Sequence, residues 1–186
     1  MTALIIILVI LLALVFWVIF TRNNLVVAKQ KVKNAWSQID VQLQRRFDLI
    51  PNLIETVKGY MAHEANVLEE VTRLRSAWSD AKTISDKANV DNALSGTLKT
   101  IMALSENYPD LKSNENFISM QAELSETENK ISFSRQFYND TVTKYNTSLE
   151  LFPSNLIASM FHFETEPLFE VDNSEARKNV KVDFNN

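Results

Sequence analysis

The chain has 186 residues, enough for one domain of ordinary size with a real core. Two glycines and four prolines are too few for the tight turns of a β-rich fold, and the absence of cysteine removes disulfides, thiolate metal sites, cysteine nucleophiles and a lipidated N-terminal cysteine together. A net charge of −4 argues against nucleic acid as a partner, because phosphate binding needs a concentrated positive face.

From Ala3 to Phe20 the chain reads ALIIILVILLALVFWVIF, unbroken by charge, glycine or proline. At about 1.5 Å per residue this run crosses most of a hydrocarbon core of roughly 30 Å. Phe16 and Trp17 lie near its end, where aromatic rings settle at the interface, and Arg22 follows. A secretory signal peptide is the alternative, but no basic segment precedes the run and no small-x-small cleavage site follows it. Residues 1–22 therefore read as an uncleaved single-pass anchor in the lipid bilayer of the cell (inner) membrane. Arg22, Lys29, Lys31 and Lys33 follow the anchor and no Lys or Arg precedes it, so the positive-inside rule places the C-terminal body in the cytoplasm, on the strength of one flank.

Heptad-spaced residues then continue for a long way. One row is Trp36, Leu43, Ile50, Val57, Glu64, Val71 and Trp78; the other is Leu25, Val32, Ile39, Arg46, Leu53, Tyr60, Val67 and Leu74. Together they form the narrow seam of a coiled-coil-like or bundle helix that continues from the membrane span. Pro51 removes one backbone N–H and crowds the carbonyl of Phe47. Because Leu43, Ile50 and Val57 stay in phase across it, the expectation is a helix kinked at Pro51 rather than ended, with Asn52 or a water at the freed carbonyl.

Ser79 to Asp91 reads as a polar connection, followed by a shorter helix with Val90, Leu94, Leu98, Ile101, Leu104 and Tyr108 on one face and Gly96 placed for a close helix contact. Pro109, within NYPDLKSNEN, stops it. A long helix is expected from about Ser113 to Phe152, with Phe117, Leu124, Ile131, Tyr138, Tyr145 and Phe152 every seven residues. Beside them runs a small row, Thr127, Ser134, Thr141 and Ser148, suited to close interdigitation. Pro153 ends that helix, and NLIASMF, residues 155–161, reads as a short helix over the end of the bundle. The sum is an all-α fold: an N-terminal transmembrane helix, an elongated antiparallel bundle of about four long helices over residues 23–163, and an extended or disordered tail over 164–186, in which VKVDF (180–184) alternates as a short strand would.

His63-Glu64 resembles half of a zinc-protease motif, but Val67 stands where the second histidine is needed, and the only other histidine is His162. No nucleophile elbow and no glycine-rich phosphate loop occurs, so no catalytic, cofactor or metal residues are assigned. Arg45, Arg46, Asp48 and Asn52 on the first long helix, with Glu128, Asn129, Arg135, Asn139 and Asp140 on the later one, form a candidate polar layer. Three readings stay open: a structural layer fixing helix register, an anionic-ligand site at Arg45 and Arg46, and a solvated face.

These stretches resemble the LemA family of bacterial membrane-associated helical proteins. The family's Ala-Trp-x-Gln-Ile-Asp-Val-Gln-Leu is Ala35 to Leu43, its Arg-Arg-aromatic-Asp-Leu-Ile-Pro-Asn-Leu is Arg45 to Leu53, and its Val-Lys-Gly-Tyr is Val57 to Tyr60. Glu-Asn-x-Ile is Glu128 to Ile131, and the repeated Tyr-Asn is Tyr138-Asn139 and Tyr145-Asn146, followed by Phe152-Pro153. The resemblance covers residues 24–161; it departs at Asn23, where the family often has tyrosine, and this chain lacks the lipobox cysteine of some relatives. It implies a membrane-anchored antiparallel helical bundle without an agreed enzymatic activity, in a family with one branch associated with magnetosome membranes. The expectation is a non-enzymatic, self-associating scaffold or interaction module that organises membrane. The alternatives are a membrane-bound ligand sensor or hydrolase using Arg45, Arg46, Asp48, Glu128 and Arg135, and an adaptor for an unidentified protein partner such as a membrane protease or signalling complex.

Overall fold

A computed structural model of the chain describes residues 1–170; the strand-like VKVDF lies outside the described residues. The described residues form six helices and no strands: α1 (Thr2–Lys58), α2 (Ala65–Asp80), α3 (Ile84–Ser105), α4 (Pro109–Lys112), α5 (Glu115–Glu150) and α6 (Ser154–Met160). The all-α expectation holds. Contacts divide the described residues into two units: Met1–Asp48 with Ala122–Leu168, and Leu49–Gln121 with Phe169 and Glu170.

The first unit pairs α1 with α5. Arg46 of α1 meets Glu128 of α5, and ten residues earlier on α1 Trp36 meets Tyr138, ten later on α5, with ring centroids 5.7 Å apart in an edge-on contact. The partner number rises as the α1 number falls, so the two helices run antiparallel. Leu25, Val32, Ala35, Ile39, Leu43 and Phe47 of α1 are buried, as are Leu124, Ile131, Tyr138, Val142, Tyr145 and Leu149 of α5. The seam read from the sequence is thus the core of this unit. Phe152, expected as the last member of the α5 row, is instead 79% exposed: α5 ends at Glu150, so the next heptad position falls outside the helix. Of the small row only Thr127 is buried; Ser134, Thr141 and Ser148 are half-buried. After α6, His162 takes φ 54° while the Phe163 N–H bonds back to the Ala158 carbonyl, a left-handed helix end that releases the chain into residues without regular structure.

The second unit holds the end of α1, α2 to α4, and the start of α5. Helix α1 passes through Pro51 without ending, and Ile50, Leu53 and Val57 are buried on either side of it. It does not continue to Trp78 as the seam predicts. It stops at Lys58, where Gly59 costs up to about 1 kcal/mol against alanine in a helix. The Tyr60 and Met61 N–H groups both fold back to the Val57 carbonyl. Met61 takes the buried place while the expected seam residue Tyr60 is exposed and Val67 half-buried; the row resumes at Val71, Leu74 and Trp78.

The polar connection expected over residues 79–91 shrinks to 81–83. Thr83 caps α3: its hydroxyl accepts from the Asp86 N–H at 3.0 Å, and the Asp86 carboxylate accepts from the Thr83 N–H at 3.2 Å. The buried face of α3 carries Ala88, Asp91, Leu94, Leu98, Ile101 and Ser105, so Asp91 and Ser105 take places expected for Val90 and Leu104, both half-buried. Gly96 makes no close helix contact: nothing lies within 4 Å of where a Cβ would stand. Pro109 occupies the first turn of the short α4, and Asn114 then starts α5 by accepting from the N–H groups of Asn116 and Phe117.

Candidate functional site

The polar residues singled out in the sequence differ in burial. Adjacent helical residues point about 100° apart. Arg46 is accordingly buried at 3% exposure against Glu128, while Arg45 is exposed. The two guanidiniums therefore do not form a joint clamp. Arg45 lies by the outer acidic residue Glu126, whose carboxyl is held below its ordinary value by the hydrogen bond and charge of Lys130 and then by the charge of Arg45. Asp48 is exposed and accepts from the Gln44 amide one turn back at 2.8 Å. Asn129 and Asp140 are exposed, Arg135 and Asn139 half-buried. Asn52 is an exposed residue of the second unit. Arg46 and Glu128 form a direct ion pair across the two helices; the Glu128 side chain keeps 45% of its surface exposed, so water shares it.

His63 is exposed, and Glu64 instead accepts a long hydrogen bond from the Tyr108 hydroxyl, at 3.4 Å. Among the described residues no three His, Asp or Glu side chains gather as metal ligands.

A second polar cluster in the first unit was not found from the sequence. The chain after α6 is strapped to α5 by hydrogen bonds from α5 side chains to its backbone. The Tyr145 hydroxyl donates to the Glu164 carbonyl at 3.0 Å, and the Tyr138 hydroxyl to the Pro167 carbonyl at 2.7 Å. Asn146 bonds Glu166 in both directions, its amide donating to the Glu166 carbonyl at 2.9 Å and its oxygen accepting from the Glu166 N–H at 3.0 Å. An asparagine side chain supplies a donor and an acceptor side by side, as a neighbouring strand would. The Glu166 carboxylate reaches Lys29 of α1 at 3.5 Å. Burial first, then the Glu166 charge, pushes the Tyr138 phenol up to about 12. Tyr145 is raised from the same causes, with Glu164 adding its charge. The repeated Tyr-Asn was the available signal, but it carries no hint of its partners.

Beside the strap, a groove of about 590 Å³ opens between Ala28, Lys31 and Asn34 of α1 and Thr141, Lys144 and Ser148 of α5. Its short side chains make the space, and its two lysines make it basic. None of the polar-layer residues lines it.

The sequence model of the LemA family matches residues 35–184. The chain belongs to the LemA family. It is similar to protein LemA of Metamycoplasma hominis, at 25% identity over 169 residues, covering 84% of this chain and 75% of that protein. It is also similar to magnetosome proteins MamQ 1 and MamQ 2 of Paramagnetospirillum magneticum, each at 24% identity over 174 residues and 80% of this chain. The chain spans 64% of the length of each MamQ protein. Within the family match lie the Arg46–Glu128 pair and, with the strap they hold, Tyr138, Tyr145 and Asn146.

Proposed function

We propose that this LemA-family chain is a single-pass, membrane-anchored helical scaffold that self-associates and organises membrane, without catalysing a reaction. One observation carries the reading. The apolar part of α1 is long enough to cross a membrane and its residues 2–16 are all exposed, while the same helix becomes a buried bundle element from Leu25 onward. A soluble core helix would be covered by its own protein; this one leaves a lipid-sized surface bare. The similarity to two magnetosome proteins supports a role at membranes. Arg46, buried against Glu128, supports a structural polar layer over a ligand site. Like anchors in one bilayer hold copies parallel and raise their effective concentration, which favours assembly and leaves room for a protein partner.

The reading is tested in bacterial membranes. The protein is expected to resist carbonate extraction, to crosslink to itself, and to lose its C-terminal segment to protease only in inverted vesicles. Extraction by carbonate would overturn the anchor, and a strictly monomeric crosslinking pattern the self-association. Cleavage from the outside of spheroplasts would reverse the orientation.

A further inference from the structure

We infer that the elbow joining α5 to α6 is a second membrane contact, an apolar wedge that lies in the headgroup boundary beside the point where α1 leaves the bilayer. The inference rests on the reading of residues 3–20 as a membrane span. It starts from the antiparallel register. With Arg46 opposite Glu128 and Trp36 opposite Tyr138, equal rise along both helices brings Glu150, the last residue of α5, level with Asn24, and the elbow at Leu151 and Phe152 level with Asn23 and Arg22. An independent contact places the end of α6 at the same height: the Arg22 guanidinium lies over the Phe161 ring, 5.2 Å from its centroid. Arg22 is two residues, about 3 Å along the helix, beyond the last apolar residue Phe20.

At this height the elbow exposes Leu151, Phe152, Leu156, Met160 and Phe161, while Ile157 and Ala158 on the other side of α6 are buried. The short α6 thus exposes Leu156 and Met160, with only Ser159 polar among its exposed residues, on the side opposite its buried Ile157 and Ala158, which a helix surrounded by water does not need. The half-buried Trp17, Val18 and Thr21 follow the face of α1 that carries buried Leu25, whereas Phe16, Ile19 and Phe20 are exposed. The outer apolar surface of the elbow is therefore level with the exposed apolar end of the span, and a lipid surface is the occupant that would cover both. Contiguous exposed apolar surface of this kind marks a membrane or protein contact, and aromatic side chains are suited to the interface.

The full chain in lipid nanodiscs tests this with single nitroxide labels; the absence of cysteine makes each introduced cysteine unique. Labels go on Phe152→Cys and Leu156→Cys at the elbow, Leu14→Cys in the span and Glu126→Cys on the outer face of α5, and collisions with oxygen and with a water-soluble nickel chelate are compared. The expected result is an oxygen-to-nickel ratio at both elbow positions several-fold above that at Glu126→Cys, approaching that at Leu14→Cys. A span label in lipid with elbow labels as wet as Glu126→Cys overturns the wedge and leaves the anchor standing. A span label in water overturns the anchor and the wedge with it. Elbow labels shielded from both reagents, with dipolar broadening between copies, show a second copy on this surface and also overturn the wedge. All four positions are exposed in the structure, so the labels leave the core intact.

Discussion

Asn146 offers the sharpest test of the strap. Replacing it by alanine deletes both hydrogen bonds to Glu166, at 2.9 and 3.0 Å, and leaves a half-buried N–H and carbonyl to find water. At about 1 kcal/mol net for each bond, the strap should lose about 2 kcal/mol of local stability, a rise of about 30-fold in its opening equilibrium. Amide hydrogen exchange of Glu166 in the detergent- or nanodisc-held protein reads that opening directly, and the buried α5 amides serve as the internal reference for global stability. Asn146→Asp keeps the acceptor but turns the donor into a negative charge facing the Glu166 carbonyl, so it should open the strap at least as much. Tyr145→Phe keeps the ring in the core and loses one bond to Glu164, so its effect should be nearer fivefold, about 1 kcal/mol, and centred on that residue. Glu166 exchange within twofold of the parent in Asn146→Ala would refute the argument that these bonds hold the segment.

Three further outcomes follow from other elements. Breaking a buried ion pair costs about 3–5 kcal/mol, but with Glu128 45% exposed the expected loss for Glu128→Ala is about 1–3 kcal/mol by urea unfolding; Arg46→Met with Glu128→Gln should recover most of it, and a loss below about 0.5 kcal/mol would mean that the pair adds nothing. Thr83→Ala should cost about 1 kcal/mol through the lost α3 cap and Thr83→Ser only a few tenths, measured by thermal melts; equal costs for both would point away from the hydroxyl. Tyr138 has a folded pKa raised from 10.0 to about 12, so its contribution to stability is full below pH 10 and is lost as pH rises through about 12. Tyr138→Phe should flatten part of that alkaline fall in the urea midpoint, and identical pH profiles for variant and parent would contradict the assignment.

The elements most legible in the sequence are those whose burial is set by period alone. Leu25, Val32 and Ile39 in α1, with Leu124, Ile131 and Tyr138 in α5, could be picked out because a large residue returns every seven positions on helices without breakers. The ends of helices were harder, since a seam carries through a break in its phase: Val57 and Val71 share a heptad row although Gly59 and the turn after it stand between them. The Thr83–Asp86 cap was present as a local signal but was outweighed by the polar composition around it. Arg46 was readable from its place on the seam, whereas the neighbouring Arg45 and Asp48 fall on other faces of the helix and entered the candidate layer through proximity in sequence. The strap left no period at all. Its backbone carbonyls are bound by side chains 19 to 29 residues away, and backbone groups carry no residue-type signature.

No residue between Thr2 and Asp48 leaves the helix, so the apolar segment and the first bundle helix turn as one body about a common axis. Each residue inserted near Asn23-Asn24 would rotate everything that follows by about 100° and lift it by about 1.5 Å, while a seven-residue insertion would nearly restore the azimuth at a height of about 10 Å. The side of the anchor on which α5 and α6 rest is therefore a matter of angular phase, and a twist imposed on the segment before Phe20 would be delivered to the bundle as a rotation of the same size.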